Sequence, residues 1–205
     1  MADLLRYGVF LRPDPITSLG VTTITGALRA QFGLVSAGAF PPHVTLVGSL
    51  PLAVPEDELA ATLAATLVGW SGFEVQNRGV RPLSNAVVYD VHELDGAPNP
   101  GLIQLVTEVD AAVRPLLDPD APGLAADLHR PDRWWGHLSL ASHELDTRLD
   151  LHDEVLAFAR DLDLSVPAEF RADTIDLYRF AHPTWDGSWW RAMTWEHVKS
   201  WRLPS

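Results

Sequence analysis

The sequence contains no cysteine, which excludes disulfide bonds and thiolate metal sites. No apolar run approaches the roughly 20 residues that a membrane-spanning helix needs. The first residues carry an acid at Asp3 and prolines at Pro13 and Pro15, and they lack the basic start and long apolar stretch of a signal peptide. We therefore predict a cytoplasmic protein with no membrane partner.

Positive charge is also scarce in this chain. The sequence has 15 basic and 27 acidic residues, a formal net charge of −12, and Lys199 is its single lysine. Affinity for long nucleic acid comes mainly from basic side chains that neutralise phosphates, so the composition argues against such a ligand. An acidic, well-solvated surface accounts for the charge, and a small anion held by a few local groups stays compatible with it.

The residues that are present describe an ordinary globular chain. Its 205 residues, of which 47% are hydrophobic and 20% charged, suffice for one domain or two small lobes with a substantial core. Apolar periodicity predicts the order β-α-β-α-β-β and then α-β-α-β-β-β, a two-fold pseudo-repeat that includes a helix over 146–162 and a last strand over 188–197. This order indicates an α+β fold with two antiparallel or mixed sheets and helices outside.

One four-residue pattern, His-x-(Thr/Ser)-Leu, occurs in each half of the chain. It stands at residues 43–46 (HVTL) and 137–140 (HLSL), both within apolar runs that read as buried strands. Because strand side chains alternate between faces, each histidine shares a face with the hydroxyl two residues later. Two such strands side by side would form a pocket with two titratable imidazoles and two neutral donors.

The other histidines provide a control for this pattern. A third copy of His-x-Thr begins at His182, but Pro183 and the neighbouring turn residues argue against a regular strand, and we interpret it as coincidence. The histidines without a hydroxyl partner are interpreted as surface or structural: His92, His129, His143, His152 and His197. The paired motifs, placed equivalently in the two halves, favour a functional role.

These residues resemble the 2H phosphoesterase superfamily, which includes bacterial 2'-5' RNA ligase-like proteins and cyclic nucleotide phosphodiesterases. The resemblance extends to the opening strand YGVFL, to residues 73–75 and 79–80, and to a closing hairpin at 175–178. It implies a bilobal, pseudo-two-fold α+β fold in which the motif strands line a central cleft. Residues 1–205 would then form a single domain of two pseudo-symmetric lobes.

The resemblance also implies a reaction. The expected activity is metal-independent, cofactor-free hydrolysis of a 2',3'-cyclic phosphate, or of a related small cyclic phosphate or short oligonucleotide, typically to a 2'-phosphate. Two imidazoles can divide acid and base catalysis near neutral pH, with His43 as the acid and His137 as the base. Thr45 and Ser139 would donate hydrogen bonds to the non-bridging phosphate oxygens. The acid-rich composition departs from RNA-processing members with basic clefts, which argues against long RNA or tRNA as substrate.

Residues near the motifs are candidates for substrate binding. Aromatic rings can stack on a nucleobase, and the candidates are Phe40, Tyr7, Trp134 and Trp135. One of Trp134 and Trp135 is favoured, because adjacent strand positions point to opposite faces and one of the two should face the site. Further tryptophans, Trp185, Trp189 and Trp190, lie near the last hairpin. Phosphate clamps are predicted at Arg130 and Arg133, with Arg12 and Arg179 as weaker candidates.

Other functions stay open at this point. The same pocket could bind a nucleotide without turnover, or run in reverse as a 2'-5' RNA ligase. A metallohydrolase would use His43 and His137 as ligands, but a hydroxyl is a poor zinc ligand and the sequence has no His-Glu-x-x-His. A serine hydrolase lacks its Gly-x-Ser-x-Gly. The expected partner is a small nucleotide, and a monomer is the default assembly.

Overall fold

A computed structural model describes residues 5–121, 133–162, 166–185 and 187–205. The α-helices are α1 (Pro15–Phe32), α2 (Glu56–Thr66), α3 (Pro100–Val113) and α4 (His152–Asp161). Local signals set their ends. The Asp14 side chain caps α1 by accepting from the Thr17 N–H, and Gly33 ends this helix with a left-handed φ of 71°. No helix in the described ranges is long and apolar enough to cross a membrane.

Antiparallel pairing organises most of the strands into one large sheet. The strands are β1 (Leu5–Leu11), β2 (Val44–Leu50), β3 (Phe73–Gln76), β4 (Val80–Leu83), β5 (Ala86–Asp90), β6 (Glu93–Leu94), β7 (Ala97–Pro98), β8 (His137–Ala141), β9 (Glu169–Ala172), β10 (Thr174–Ala181) and β11 (Thr194–Arg202). Seven of them form a sheet in the order β11-β10-β1-β2-β8-β5-β4, while β3 pairs with β9 and β6 with β7. The predicted α+β class is confirmed.

Apart from the edge strand β11, the order of the large sheet is symmetric about the junction of β2 and β8. Strands β2 and β8 meet there, β1 and β5 flank them, and β10 and β4 lie outside those. The central pairing consists of a single residue pair, Val44 with Leu138. The two predicted sheets are therefore two halves of one sheet that meet at this pair. One half, β11-β10-β1-β2, combines strands from residues 5–50 and 174–202, whereas the other half, β8-β5-β4, comes from residues 80–141.

Side-chain alternation separates the two faces of the sheet. Val9, Leu46 and Leu138 are fully buried in the main core, where α1 contacts β8 and α3 contacts β2. Their neighbours Phe10, Thr45, His137 and Ser139 point to the opposite face and line a pocket. The apolar face thus carries the helices, and the other face is available for a site.

Two predicted elements begin later than the sequence pattern indicates. The helix predicted over 146–162 starts at His152, because the residues before it form short 3₁₀ turns held by the buried carboxylate of Glu144. The strand predicted over 188–197 starts at Thr194. The preceding 3₁₀ turn, Trp189–Arg191, packs its tryptophans against His143 instead.

Candidate active site

A pocket of about 360 Å³ opens where β2 and β8 meet, and we call it the central pocket. Both predicted motifs contribute to its lining, with His43 and Thr45 from the first copy and His137 and Ser139 from the second. The sheet therefore brings together the four motif side chains that the sequence singled out.

The antiparallel register explains how these side chains are arranged. Val44 pairs with Leu138. Counting outward from this pair sets His43 across from Ser139, and Thr45 across from His137. Each imidazole consequently faces the hydroxyl of the other copy as well as having its own hydroxyl two residues along the strand.

Backbone carbonyls fix the same tautomer in both histidines. The Nδ1 of His43 lies 2.8 Å from the carbonyl oxygen of Pro41, and the Nδ1 of His137 lies 2.7 Å from that of Trp135. A carbonyl oxygen only accepts, so Nδ1 is the donor in each pair. The neutral ring then carries its lone pair on Nε2, where it can take a proton, and the charged ring can give one from the same atom.

Aromatic rings surround His43. The Phe40 ring stacks on it at 4.3 Å between centroids with an angle of 19°, and the Phe10 ring meets it edge-on at 4.5 Å. Burial among these rings lowers the pKa of His43 to about 4, although the hydrogen bond to Pro41 opposes the shift, and charge on His137 lowers it further. His43 is therefore a neutral acceptor at neutral pH.

His137 has a carboxylate beside it. Its pairing partner on β5 is Asp90, a side chain only 2% exposed that also accepts a hydrogen bond of 3.1 Å from the indole of Trp135. Burial lowers the pKa of His137, while the bond to the Trp135 carbonyl and the charge of Asp90 raise it. The two copies of one motif thus differ in the charge that stands next to the ring.

The β1 side of the central pocket is an aromatic wall, which we define as Phe10, Phe40, Phe180 and Trp185. Phe10 lies over Gly8, where an added Cβ would overlap its ring, so a larger residue at this position would displace the Phe10 ring. The buried Arg6 also lines the pocket, with its guanidinium 5.7 Å from the centre of the Trp185 ring. Sequence reasoning missed Arg6 and Phe10, although their alternation within the opening strand was a usable signal.

The predicted aromatic residues separate into different places. Phe40 lines the central pocket as expected. Tyr7 and Trp134 are buried and line neither pocket described here, and the Trp134 indole donates to the Thr45 carbonyl at 2.9 Å, which supports the strand from behind. Trp135 is outside the central pocket and borders a second pocket further along the same face. Its position agrees with the predicted alternation of the two tryptophans.

The predicted phosphate clamps do not meet in the central pocket. Arg130 lies outside the described residues, and the exposed Arg133 lines neither pocket. Arg12 makes a bidentate contact with the carboxylate of Asp176. Arg179 pairs with two glutamates, Glu56 and Glu196. In the described parts of the chain, Arg6 is the arginine that lines the central pocket.

A third histidine enters the central pocket. His143 lines it and stacks on Trp190 at 5.0 Å with an angle of 17°, and burial lowers its pKa. It was interpreted as surface or structural because it lacks a hydroxyl partner. His143 lies six residues after His137, just beyond the end of β8, and this closeness to the second motif could have identified it as a pocket residue.

A buried carboxylate ties the two sides of the pocket together. Glu144 accepts hydrogen bonds from the backbone N–H groups of Val35 at 2.7 Å and Ser36 at 2.8 Å, and from the Ser36 hydroxyl. Burial alone would raise the pKa of Glu144, but these bonds lower it overall. The Ser36 hydroxyl in turn lies 2.9 Å from that of Ser142. The segment before β2 is thereby fastened to the segment after β8.

Across the described residues, no three histidine, aspartate or glutamate side chains come together in a group that could hold a metal ion.

Comparison with known proteins extends these observations. The crystal structure of E. coli LigT complexed with 3'-AMP has a TM-score of 0.55 at 15% identity, covering 99% of this chain and 100% of that chain. TT0787 of Thermus thermophilus has a TM-score of 0.56 at 16% identity, covering 97% of each chain. At this identity the likeness establishes the fold alone. No curated protein matches the sequence.

The family match is broader than any of these pairwise likenesses. Residues 13–183 match the 2'-5' RNA ligase superfamily, a span that contains both histidine motifs and most of the large sheet. Members of this group are phosphoesterases or ligases, as the resemblance of the paired motifs implied. The chain belongs to the 2'-5' RNA ligase superfamily.

Proposed function

We propose that this protein is a metal-independent phosphodiesterase that hydrolyses a 2',3'-cyclic phosphate, or a related small phosphodiester, by two-histidine acid/base catalysis. One observation carries the proposal. Two imidazoles of the same tautomer, each with a hydroxyl at its side, line one pocket at the centre of the sheet. Such a pair can move two protons around a single phosphorus atom.

The different surroundings of the two histidines support one division of the roles. His43, which is neutral at neutral pH, takes a proton on Nε2 from the attacking water. The water oxygen bonds to phosphorus as the bond from phosphorus to the leaving ribose oxygen breaks. Burial lowers the pKa of His137 overall, and the charge of Asp90 opposes that shift; in its protonated form His137 gives its proton to the leaving oxygen, and the product is a phosphate monoester. This assignment is the reverse of the one implied by the family resemblance.

The remaining residues of the central pocket bind and orient the substrate. Thr45 and Ser139 donate hydrogen bonds to the non-bridging oxygens, where negative charge gathers in the transition state. The aromatic wall stacks on the nucleobase. A nucleotide of the size of 3'-AMP, with which the structurally similar E. coli LigT was crystallised, suits a pocket of about 360 Å³.

The acidic composition supports a small substrate. With a formal charge of −12, the chain would repel a long polyanion, whereas one nucleotide needs only the local groups of the pocket. We accordingly propose a small nucleotide as the partner of a monomeric cytoplasmic enzyme of one domain.

A substrate panel tests the proposal directly. The protein is incubated, with EDTA present, with the four nucleoside 2',3'-cyclic monophosphates, ADP-ribose 1'',2''-cyclic phosphate and 2'-5' oligoadenylate, and the products are identified by phosphorus NMR. The expected product is a monoester from at least one cyclic phosphate, formed at a rate that EDTA does not change.

The other outcomes of the panel contradict the proposal in distinct ways. Tight nucleotide binding without any product would identify a binding module. Activity that EDTA abolishes and added metal restores would identify a metallohydrolase. A newly joined 2'-5' linkage without hydrolysis would identify a ligase.

A further inference from the structure

One serine of β2 adopts a backbone conformation that residues other than glycine rarely take. Ser49 has a φ of 57°, in the left-handed region. Within the described parts of the chain, the other non-glycine residues with positive φ are Ser84 at 52° and Asp95 at 53°. Both of these lie in two-residue turns between paired strands, which commonly need a positive φ. Ser49 lies inside a strand, so no turn accounts for its conformation.

An irregularity in strand pairing accompanies this conformation. The pairing of β1 with β2 shifts register between Tyr7 and Val9, where Gly8 alone faces two residues of β2. These two residues are Gly48 and Ser49, and we call them the bulge. The β2 residues immediately before and after the bulge are buried in the main core, whereas both bulge residues line the central pocket. The strand therefore presents two consecutive residues to the site.

The first residue of the bulge has little room for a side chain. A Cβ added at Gly48 would lie 3.3 Å from the methyl carbon of Thr45, which is tighter than ordinary van der Waals contact. A side chain at this position would therefore press against one of the two motif hydroxyl residues. Ser49 is thus the bulge residue that can carry a polar group into the pocket.

The hydroxyl of Ser49 is available to a ligand. Ser49 is exposed at the pocket, and no other described residue forms a hydrogen bond with its hydroxyl. A positive φ brings the Cβ of an L-residue close to its own carbonyl oxygen, so glycine would fit this backbone with less strain. Strained residues are found preferentially at ligand and active sites. Ser84 provides an internal reference, since it has nearly the same φ but lines neither pocket.

Strand geometry separates Ser49 from the phosphate. Ser49 follows Thr45 by four residues, roughly 13 Å at the rise of an extended strand, a distance that the bulge shortens. A phosphate held by the two motif histidines and their hydroxyls would not extend this far. The Phe10 ring lies over Gly8, which is the residue that faces the bulge, so the aromatic wall borders Ser49. A flat ring stacked on this wall would have its edge near the Ser49 hydroxyl.

We propose that Ser49 recognises the edge of the substrate's nucleobase by a hydrogen bond, and that the strained bulge is retained for this contact. This inference rests on the proposed function. The aromatic wall contacts the face of the base, and the Ser49 hydroxyl donates to, or accepts from, a polar atom on its edge. A ribose phosphate without a base has no such atom at this distance from phosphorus. Ser49 is accordingly a specificity-determining residue that takes no part in proton transfer.

Substrates with and without a base test this contact. In Ser49→Ala, KM for at least one of the four nucleoside 2',3'-cyclic phosphates should rise about three- to tenfold with kcat unchanged, because one hydrogen bond is lost. For methyl riboside 2',3'-cyclic phosphate, which lacks a base, kcat/KM should stay within about twofold of wild type. Ser84→Ala is the matched control, a strained serine outside both pockets, and it should change neither value.

Glycine variants separate the hydroxyl from the strain. Glycine adopts a positive φ readily, so Ser49→Gly and Ser84→Gly should both melt at or above the wild-type temperature. Ser49→Gly should nevertheless lose as much activity on the nucleoside substrate as Ser49→Ala, whereas Ser84→Gly should lose none. Weaker activity accompanied by a lower melting temperature would mean that Ser49 supports the fold, and would overturn the inference.

Calorimetry distinguishes failure of this inference from failure of the proposed function. The four nucleoside 3'-monophosphates are titrated into wild type and Ser49→Ala, with ribose 3-phosphate as the ligand without a base. About three- to tenfold weaker binding of a nucleotide, with unchanged ribose 3-phosphate binding, supports the contact even if no substrate is hydrolysed. Equal losses for both kinds of ligand, or no loss for any nucleotide, overturn the contact and leave hydrolysis as a separate question. Absence of nucleotide binding to wild type would refute the proposed function and this inference together.

Discussion

His43 and His137 carry the same motif and the same hydrogen bond to a backbone carbonyl, yet their surroundings differ. Phe10 and Phe40 enclose the first ring, whereas the second stands beside the buried carboxylate of Asp90. The repeated sequence supplies two equivalent proton carriers. Neighbours from other strands make their pKa values unequal, and the proposed division into a base and an acid rests on this inequality.

The largest expected effect comes from removing either ring. His43→Ala and His137→Ala should each lower kcat on a nucleoside 2',3'-cyclic phosphate by about 10²–10⁴-fold, because each loses one proton-transfer partner. The measurement is the initial rate for each purified variant.

A substrate with a different leaving group separates the contributions of the two histidines. A diester with a 4-nitrophenolate leaving group needs no acid, so His137→Ala should approach wild-type activity on it, while His43→Ala should stay impaired. The opposite pattern would restore the assignment that the family resemblance implies, and robust turnover of the cyclic phosphate by either variant would refute the mechanism.

The next largest effect on kcat is expected from removing the hydroxyl that accompanies each histidine. Thr45→Ala and Ser139→Ala should each lower kcat about 10²-fold, since each removes a donor to the charge that develops on the phosphate oxygens. Thr45→Ser and Ser139→Thr keep the donor and serve as matched controls. If the alanine variants changed only KM, the hydroxyls would be binding groups without a role in the transition state.

The hydrogen bonds of Glu144, which join the segment after β8 to the segment before β2, should affect the free energy of unfolding. Glu144→Gln should lower the free energy of unfolding at pH 7 by about 1–3 kcal/mol, because the amide satisfies the Val35 and Ser36 donors less well. The lowered pKa of Glu144 makes its contribution present above the ordinary carboxyl pKa of 4.5 and progressively lost as pH falls through the folded-state value.

Urea titrations at pH 7 and at acidic pH measure this difference. The exposed Glu154→Gln is the control, and it should change stability by less than about 0.5 kcal/mol. A Glu144→Gln effect that did not shrink in acid would mean that the carboxylate charge is unimportant.

The smallest expected effect is a shift in the pH profile of kcat/KM, and it separates the pKa of His43 from that of His137. Both histidine pKa values are lowered, so kcat/KM should be bell-shaped with an optimum below pH 6.5, falling on the acidic side as His43 gains a proton near pH 4. Activity falls on the alkaline side as His137 loses its proton. Asp90→Asn removes a charge that raises the pKa of His137, so the alkaline limb should move to lower pH while the acidic limb stays in place.

The pH profile of kcat/KM for a cyclic phosphate is the measurement for Asp90→Asn. A shift of both limbs, or of the acidic limb alone, would show that Asp90 does not act through His137.

The sequence predicted the motif strands well because strand alternation is local. It set His43 beside Thr45, and His137 beside Ser139, on one face, and it predicted that Trp134 and Trp135 point to opposite faces without saying which of them faces the site. Asp90 could not be identified in this way, because its place next to His137 depends on the pairing of β5 with β8. The pairing of β5 with β8 cannot be recognised from the sequence of either strand alone.

Two members of the aromatic wall, Phe10 and Phe180, escaped prediction for a related reason. Phe10 and Phe180 come from strands at opposite ends of the sequence, and only the neighbouring places of β1 and β10 in the sheet bring them together. The helix predicted over 146–162 was too long because apolar spacing cannot reveal that Glu144 is held by Val35 and Ser36. Long-range contacts decided each of these cases.

The pairing of β1 with β10 also constrains how the protein is made. The ribosome releases β1 about 160 residues before β10, so Phe10 has no Phe180 to pack against during that interval. The growing chain must keep the unpaired edge of β1 from associating with other nascent chains until β10 emerges. We expect the central pocket to take its final shape only after β10 has been synthesised.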